Sequence, residues 1–268
     1  MIGTRAHLTP SKQSLRVIHH CASQLRPGDP RLADWHETYT RVHANRLATD
    51  LDIVIATVSA GSKVLECGSV PLVFTLALAE VGYEVTGCDI APERYADTIQ
   101  ELALDVSKCD LEAEQMPFRA DLYDAVVFNE LFEHLRINLV FTMGEVYRVL
   151  KPEGVLLLSS PNLRSLTGIF NFLFRNRAFS CSGDVYAQYR KLDELGHMGH
   201  VREYTTLEVA DFLSKVGFCS LDLIFRGSYN SAFARGMTWA LPQLRPFVSY
   251  VARKPDCVTG KGTNRSID

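Results

Sequence analysis

The sequence predicts a doubly wound α/β domain on a mostly parallel sheet. From Lys63 onward short apolar runs alternate with segments of helical periodicity, as strands joined by crossover helices do. Successive runs end in an acid or a turn former, and the last two runs have no clear crossover helix between them, so that pair should be antiparallel. With 268 residues, 47% hydrophobic and 22% charged, a sizeable core is available.

Residues 1–29 are polar and mixed, with one short helical candidate over 11–25. From Pro30, Leu32, Trp35, Tyr39, Val42, Leu47, Leu51 and Ile55 recur at helical spacing and predict a long amphipathic helix through Val58. After the Ala60-Gly61-Ser62 breaker come a strand over 63–67 with a turn at Gly68, a helix over 70–81, a strand over 84–88, a helix over 92–102 and a strand over 105–109. A strand over 123–128, a helix over 131–150 closed by Lys151-Pro152-Glu153-Gly154, and a strand over 155–160 follow. Residues 162–199 break the rhythm with aromatic and basic side chains and read as an inserted cap. A helix over 205–216 and strands over 218–225 and 247–252 complete seven strands. The expected organisation is an N-terminal helical extension (1–58) covering the site, a main domain (59–254) with the cap, and a disordered tail (255–268).

A formal charge of −3 gives no global attraction for nucleic acid or an anionic membrane, although a local basic patch can hide within it. Seven cysteines without a C-x-x-C pair argue against a disulfide framework or structural zinc, and Cys67, Cys88 and Cys109 read as small buried hydrophobes. No signal-peptide pattern opens the chain, and no apolar stretch reaches the roughly 20 residues of a membrane helix, so a cytoplasmic location is expected.

Open α/β sheets bind ligands at the carboxyl ends of their strands. Glu66-Cys67-Gly68 closes the first predicted strand, Asp89 the second and Asp110 the third. One such acid is most simply a helix cap or turn residue. Three in succession, with a glycine after the first, point to a ligand, and an acid after the second strand suits a ribose diol.

These segments, with Val85-Thr86-Gly87-Cys88-Asp89-Ile90, Met116-Pro117-Phe118 and residues 123–128 and 150–154, resemble the ordered motifs of class I S-adenosylmethionine-dependent methyltransferases over about residues 35–253. The resemblance implies a Rossmann-like, seven-stranded sheet with an antiparallel last strand. It also implies a cofactor site of Glu66 and Gly68 at the methionine moiety, Asp89 on the ribose with Ile90 beside the adenine, Asp110 and Leu111 at the adenine edge, and Asn129 near the sulfonium. Val70 and Leu72 stand where the family's further loop glycines fall, which removes backbone room for a ligand and also counts against a nicotinamide enzyme.

Glu130, Glu133 and His134 would share one face of the helix expected at 131–150, with His200 as a fourth donor from the segment after the cap. This E-x-x-E-H pattern, with the later H-x-x-E-aromatic-Thr, is similar to small-RNA 2′-O-methyltransferases, and its first half to ubiquinone-biosynthesis O-methyltransferases. The likeness implies Mg²⁺ or Mn²⁺ on Glu130, Glu133, His134 and His200. The plainer reading is that the acids complement a helix dipole. His134 or His200 could instead serve as general base, and His197 could replace His200. In the cap, Phe170 and Phe174 are expected in the core and Arg164, Arg175 and Arg177 on a solvated face.

The expected function is O-methylation of a small-molecule or sugar hydroxyl. The likeness of Ser160-Pro161-Asn162 and of residues 200–205 to bacterial sugar and natural-product methyltransferases supports this acceptor class. The rivals are a catalytically impaired domain that binds the cofactor or a protein partner without turnover, suggested by Val70 and Leu72, and an RNA-terminal methyltransferase, which the missing basic stripe disfavours.

Overall fold

A computed structural model describes residues 3–6, 9–195 and 199–256; most of the tail expected after residue 254, and His197, lie outside the described residues. In chain order the elements are β1 (Gly3–Ala6), α1 (Lys12–Gln24), α2 (Ala33–Thr57), β2 (Lys63–Cys67), α3 (Val73–Glu80), β3 (Glu84–Asp89), α4 (Ala96–Glu101), β4 (Asp105–Lys108), β5 (Tyr123–Asn129), α5 (Leu139–Val149) and β6 (Leu150–Pro161). Then come α6 (Leu166–Arg175), α7 (Val185–Leu195), α8 (Thr206–Val216), β7 (Cys219–Arg226), α9 (Ala232–Ala240) and β8 (Phe247–Arg253). Among the described residues no helix is long and apolar enough to cross a membrane.

The sheet runs β1-β7-β8-β6-β5-β2-β3-β4. All its pairings are parallel except those of β8, which is antiparallel to both β6 and β7. The seven expected strands and the antiparallel last strand are therefore present, and β1 adds an eighth at the edge beside β7. Its Gly-Thr-Arg-Ala sequence carries no apolar alternation, so nothing in its pattern reads as a strand.

Side chains alternate across the two faces of the sheet. Val64, Ala125, Val127 and Leu157 pack with α1, α2 and α3. Leu65, Val126, Phe128, Leu156 and Leu158 pack with α5 and α8. Cys67, Cys88 and Cys109 are buried, as expected of small hydrophobes. On α2 the buried stripe is Ala44, Leu47, Ala48 and Leu51, whereas Val42 and Ile55, counted in the predicted stripe, are exposed.

The helix predicted over 131–150 is corrected. Glu130 takes a left-handed backbone (φ 48°), Phe132–His134 form a single 3-10 turn, and α5 begins only at Leu139. The new start is chemical: the Asn138 side-chain carbonyl accepts the Phe141 N–H at 3.0 Å, and Ile137 before the cap and Val140 in the first turn both face solvent. Glu130, Glu133 and His134 therefore do not lie along one helix. Similarly, α3 starts three residues later than expected, because Pro71 and a left-handed Leu72 (φ 68°) precede it. The connection from β7 to β8 does contain a short helix, α9, yet the chain still returns antiparallel.

A buried ionic ring ties α2 to the sheet. Arg226, at the end of β7 and 2% exposed, donates from Nη2 to Glu130 at 2.8 Å and from Nε to the Ser249 hydroxyl at 2.7 Å. Its Nε also lies 3.3 Å from Asp50 of α2, and Arg46, one helical turn earlier, lies 3.3 Å from the other Glu130 oxygen. Removing one partner of such a group leaves buried charge uncompensated, which costs ~3–5 kcal/mol. We expect Arg226→Met to destabilise the fold by about that amount in urea denaturation; a loss below ~1 kcal/mol, the value of a surface pair, would show that the ring does not hold α2 in place.

Candidate functional site

Strand order reverses at β2: the chain proceeds outward through β3 and β4, then returns to lay β5 on the other side of β2. Such a switch point opens a crevice at the strands' carboxyl ends. A cavity of about 460 Å³ lies there. Gly68, Asp89, Ile90, Asp110, Leu111 and Asn129 line it from the strand ends; Trp35, Tyr39, His43 and Arg46 line it from α2. Glu130, Glu133, His134, Cys181 and His200 are among the residues that line it elsewhere.

Six of the seven expected cofactor residues thus share one cavity. Gly68 suits glycine on two counts: its φ is +71°, and an added Cβ would stand a tight 3.1 Å from the Leu131 side chain. Asp89 accepts the Val70 N–H at 3.0 Å and the Ala91 N–H at 2.9 Å, one on each oxygen. Burial raises its pKa, and those two amides oppose the rise. Asp110 accepts the Glu112 N–H at 3.0 Å. Asn129 has both side-chain polar atoms buried and without a partner among the described residues.

Glu66 is the exception. It is 6% exposed, does not line the cavity, and turns its carboxylate to the Thr75 hydroxyl of α3.

The expected metal ligands divide. Glu130 is taken up by the ionic ring and by the Ser159 hydroxyl at 3.1 Å; burial works to raise its pKa, but Arg46 and Arg226 outweigh it and hold the carboxylate low. Glu133, His134 and His200 do converge, with ligand atoms all within 4.8 Å of one another. Backbone pairing brings them together: the Glu133 carbonyl accepts the Val201 N–H at 2.8 Å, and His134 Nδ1 lies 3.0 Å from the Gly199 carbonyl. Both Glu133 carboxyl oxygens are buried and without a partner among the described residues, and burial together with the Glu130 charge pushes that carboxyl well above its ordinary value. Burial and the neighbouring His200 lower His134 to about 4, so its imidazole is neutral near pH 7.

A second grouping, Cys181, His200 and Glu203, has similar spacing. Its carboxylate is already spent. Glu203 accepts the backbone N–H and hydroxyl groups of both Ser180 and Ser182, so it staples the cap and has little left for a cation.

Sequence reasoning missed Tyr39, His43, Arg46 and Glu112 as lining residues. Tyr39 belonged to the predicted helical stripe, but nothing in that stripe says the helix crosses the sheet's carboxyl edge. Phe170 and Phe174, expected in the core, are exposed; Arg164, Arg175 and Arg177 are exposed as expected.

Burial, opposed by Thr75 and reinforced by Asp89, raises the Glu66 pKa from 4.5 to about 8. The folded state therefore holds a proton that the unfolded chain releases above 4.5, so stability falls as pH rises through this window, by up to ~1.4 kcal/mol per pH unit. In ligand-free protein, Glu66→Gln should lose less stability between about pH 5 and about pH 8 than wild type, measured by urea midpoints; parallel profiles would contradict the assignment.

Residues 65–158 match a family model described as a methyltransferase domain. No curated protein matches the chain. Among solved structures it is similar to a SAM-dependent methyltransferase of Archaeoglobus fulgidus (TM-score 0.56, 16% identity, covering 82% of this chain and 99% of that one). It is also similar to a SAM-dependent methyltransferase of Thermotoga maritima described as a possible histamine N-methyltransferase (TM-score 0.57, 16% identity, 84% and 96%). At such identity the likeness carries the fold alone. Residues 65–158 are thus similar to a methyltransferase domain, and they lie on a Rossmann-like sheet of the kind those structures share.

Proposed function

We propose that the chain moves a methyl group from S-adenosylmethionine to a hydroxyl of a small-molecule or sugar acceptor, with a divalent cation held by Glu133, His134 and His200. The observation that carries this reading is the sharing of one cavity by the strand-end acids Asp89 and Asp110, the unpartnered Asn129 amide and the three-donor cluster.

When bound, S-adenosylmethionine supplies an electrophilic methyl on its sulfonium, and a cation acidifies a nearby hydroxyl. The chain's own residues do the rest. Each Asp89 oxygen already takes one amide and keeps a second lone-pair direction for a ribose hydroxyl. Ile90 and Leu111 offer apolar contact to an adenine with Asp110 at its edge, and Asn129 offers an amide beside the reacting centre. Methyl transfer needs chiefly alignment, which a preformed cavity provides. Glu133 and the two imidazoles form a mixed N/O donor set suited to a divalent ion, and the His134 contact with the Gly199 carbonyl fixes the ring that would bind it. A ring titrating near 4 is a weak general base, which favours ligation over proton abstraction at His134.

Calorimetry with S-adenosylhomocysteine should show binding by wild type and at least ~tenfold weaker binding by Asp89→Ala, about 1.4 kcal/mol. No binding by wild type at millimolar cofactor would instead favour the impaired domain suggested by Val70 and Leu72. In a methyl-transfer assay, excess EDTA should abolish turnover, Mg²⁺ or Mn²⁺ restore it, and Glu133→Ala imitate the chelator. Full activity in EDTA would remove the cation and leave His200, with Glu203 behind it at 3.7 Å, to accept the hydroxyl proton.

A further inference from the structure

The cap and the β7–β8 connection carry a feature that the cavity does not use. Phe172, Leu173 and Phe174 occupy consecutive positions at the end of α6, all exposed, Phe174 to 74%. On α9, Phe233 and Trp239 are 78% and 77% exposed, and Leu241 follows. Single exposed apolar residues are ordinary; several large ones on each of two helices whose ends are tied together are not. The two helices are rooted together, since the Tyr229 hydroxyl accepts the Thr167 N–H at 3.5 Å and donates to the Leu244 carbonyl at 3.2 Å. The Asn162 amide, just before α6, donates to the Gln243 and Arg245 carbonyls just after α9. Both helices leave the carboxyl ends of their strands, β6 and β7, on the same edge of the sheet as the cavity.

Charge is distributed as unevenly as apolarity. No Asp or Glu occurs between Glu153 and Asp184, or between Asp222 and Asp256, in a chain whose overall charge is −3. Arg164, Arg175, Arg177 and Arg235 are exposed within these stretches, and among the described residues none is ion-paired with a carboxylate.

We propose that α6 and α9 form a docking surface for the face of an anionic lipid bilayer. Aromatic rings and Leu at such a surface seat at the boundary between headgroups and acyl chains, and the arginines meet the lipid phosphates. At 10 residues α6 is about 15 Å long, enough to lie in the interface and too short to span it. A second copy of the chain is a poorer occupant, because a self-complementary interface would oppose arginine to arginine. Nucleic acid is poorer too, because a consecutive Phe-Leu-Phe presents hydrocarbon where a phosphate-tracking surface presents cations.

The test is flotation of the full chain with vesicles of phosphatidylcholine alone and of phosphatidylcholine mixed with phosphatidylglycerol. Wild type should float with the mixed vesicles, less so at high salt, and should float poorly with phosphatidylcholine alone. Phe174→Ser with Trp239→Ser should reduce partitioning at least ~tenfold, and Arg175→Glu with Arg177→Glu should erase the preference for anionic lipid. All four positions are exposed, and circular dichroism together with retained binding of S-adenosylhomocysteine would show that the variants fold. No flotation at low salt, or flotation indifferent to both double substitutions, would overturn the proposal. So would a dimer in sedimentation velocity, or a shifted RNA oligonucleotide, that the aromatic substitutions abolish while vesicles remain unbound.

Discussion

The arrangement of this molecule depends on one buried cation. Arg226 sits where β7 ends, with Asp50 on one side and Glu130 on the other, and Arg46 closes the ring from α2. Four charges out of water are tolerable only when their geometry is complementary and their remaining groups find partners, as Ser159 and Ser249 provide. The ring fixes the height of α2 over the sheet and therefore places Tyr39, His43 and Arg46 in the cavity wall. It also accounts for the unusual backbone at Glu130: a left-handed residue there delivers the carboxylate to two guanidinium groups rather than to the donor cluster beside it.

What remains for chemistry is set by a second constraint, the backbone pairing between residue 133 and the segment that follows the cap. It brings His134 and His200 edge to face with ring centroids 4.7 Å apart, and leaves the Glu133 carboxyl beside them with no donor among the described residues. Glu203, by contrast, is saturated. Two carboxylates close to one imidazole thus have opposite characters because one is surrounded by N–H and O–H groups and the other is not.

The sheet was legible because strand and helix periodicities differ and because acids mark the strand ends; Asp89 and Asp110 stand out that way and line the crevice at the switch point, whereas Asn129, which also lines it, is reached only through the family resemblance. The failures have physical causes. The four-residue β1 is recognised only through its pairing with β7. The helix at 131–150 had an apolar pattern, but Asn138 offered a local cap at its true start, and Glu130 a competing ion pair that is not visible without the partners Arg46 and Arg226, which lie far away in sequence. The cap aromatics were misjudged because spacing cannot say which apolar stripe finds a partner.

The ring bears on where the folding unit begins. Residues 1–58 look separable in sequence, an extension placed before the first strand of the main domain. Yet Leu47, Ala48, Leu51 and Val54 belong to the same core as α3 and the sheet. A fragment starting at residue 59 would expose that face to water and strand Arg226 with a single carboxylate. The smallest autonomous piece of this chain therefore includes α2, whose removal would take away the wall of the cavity and the counter-charge of the sheet in one cut.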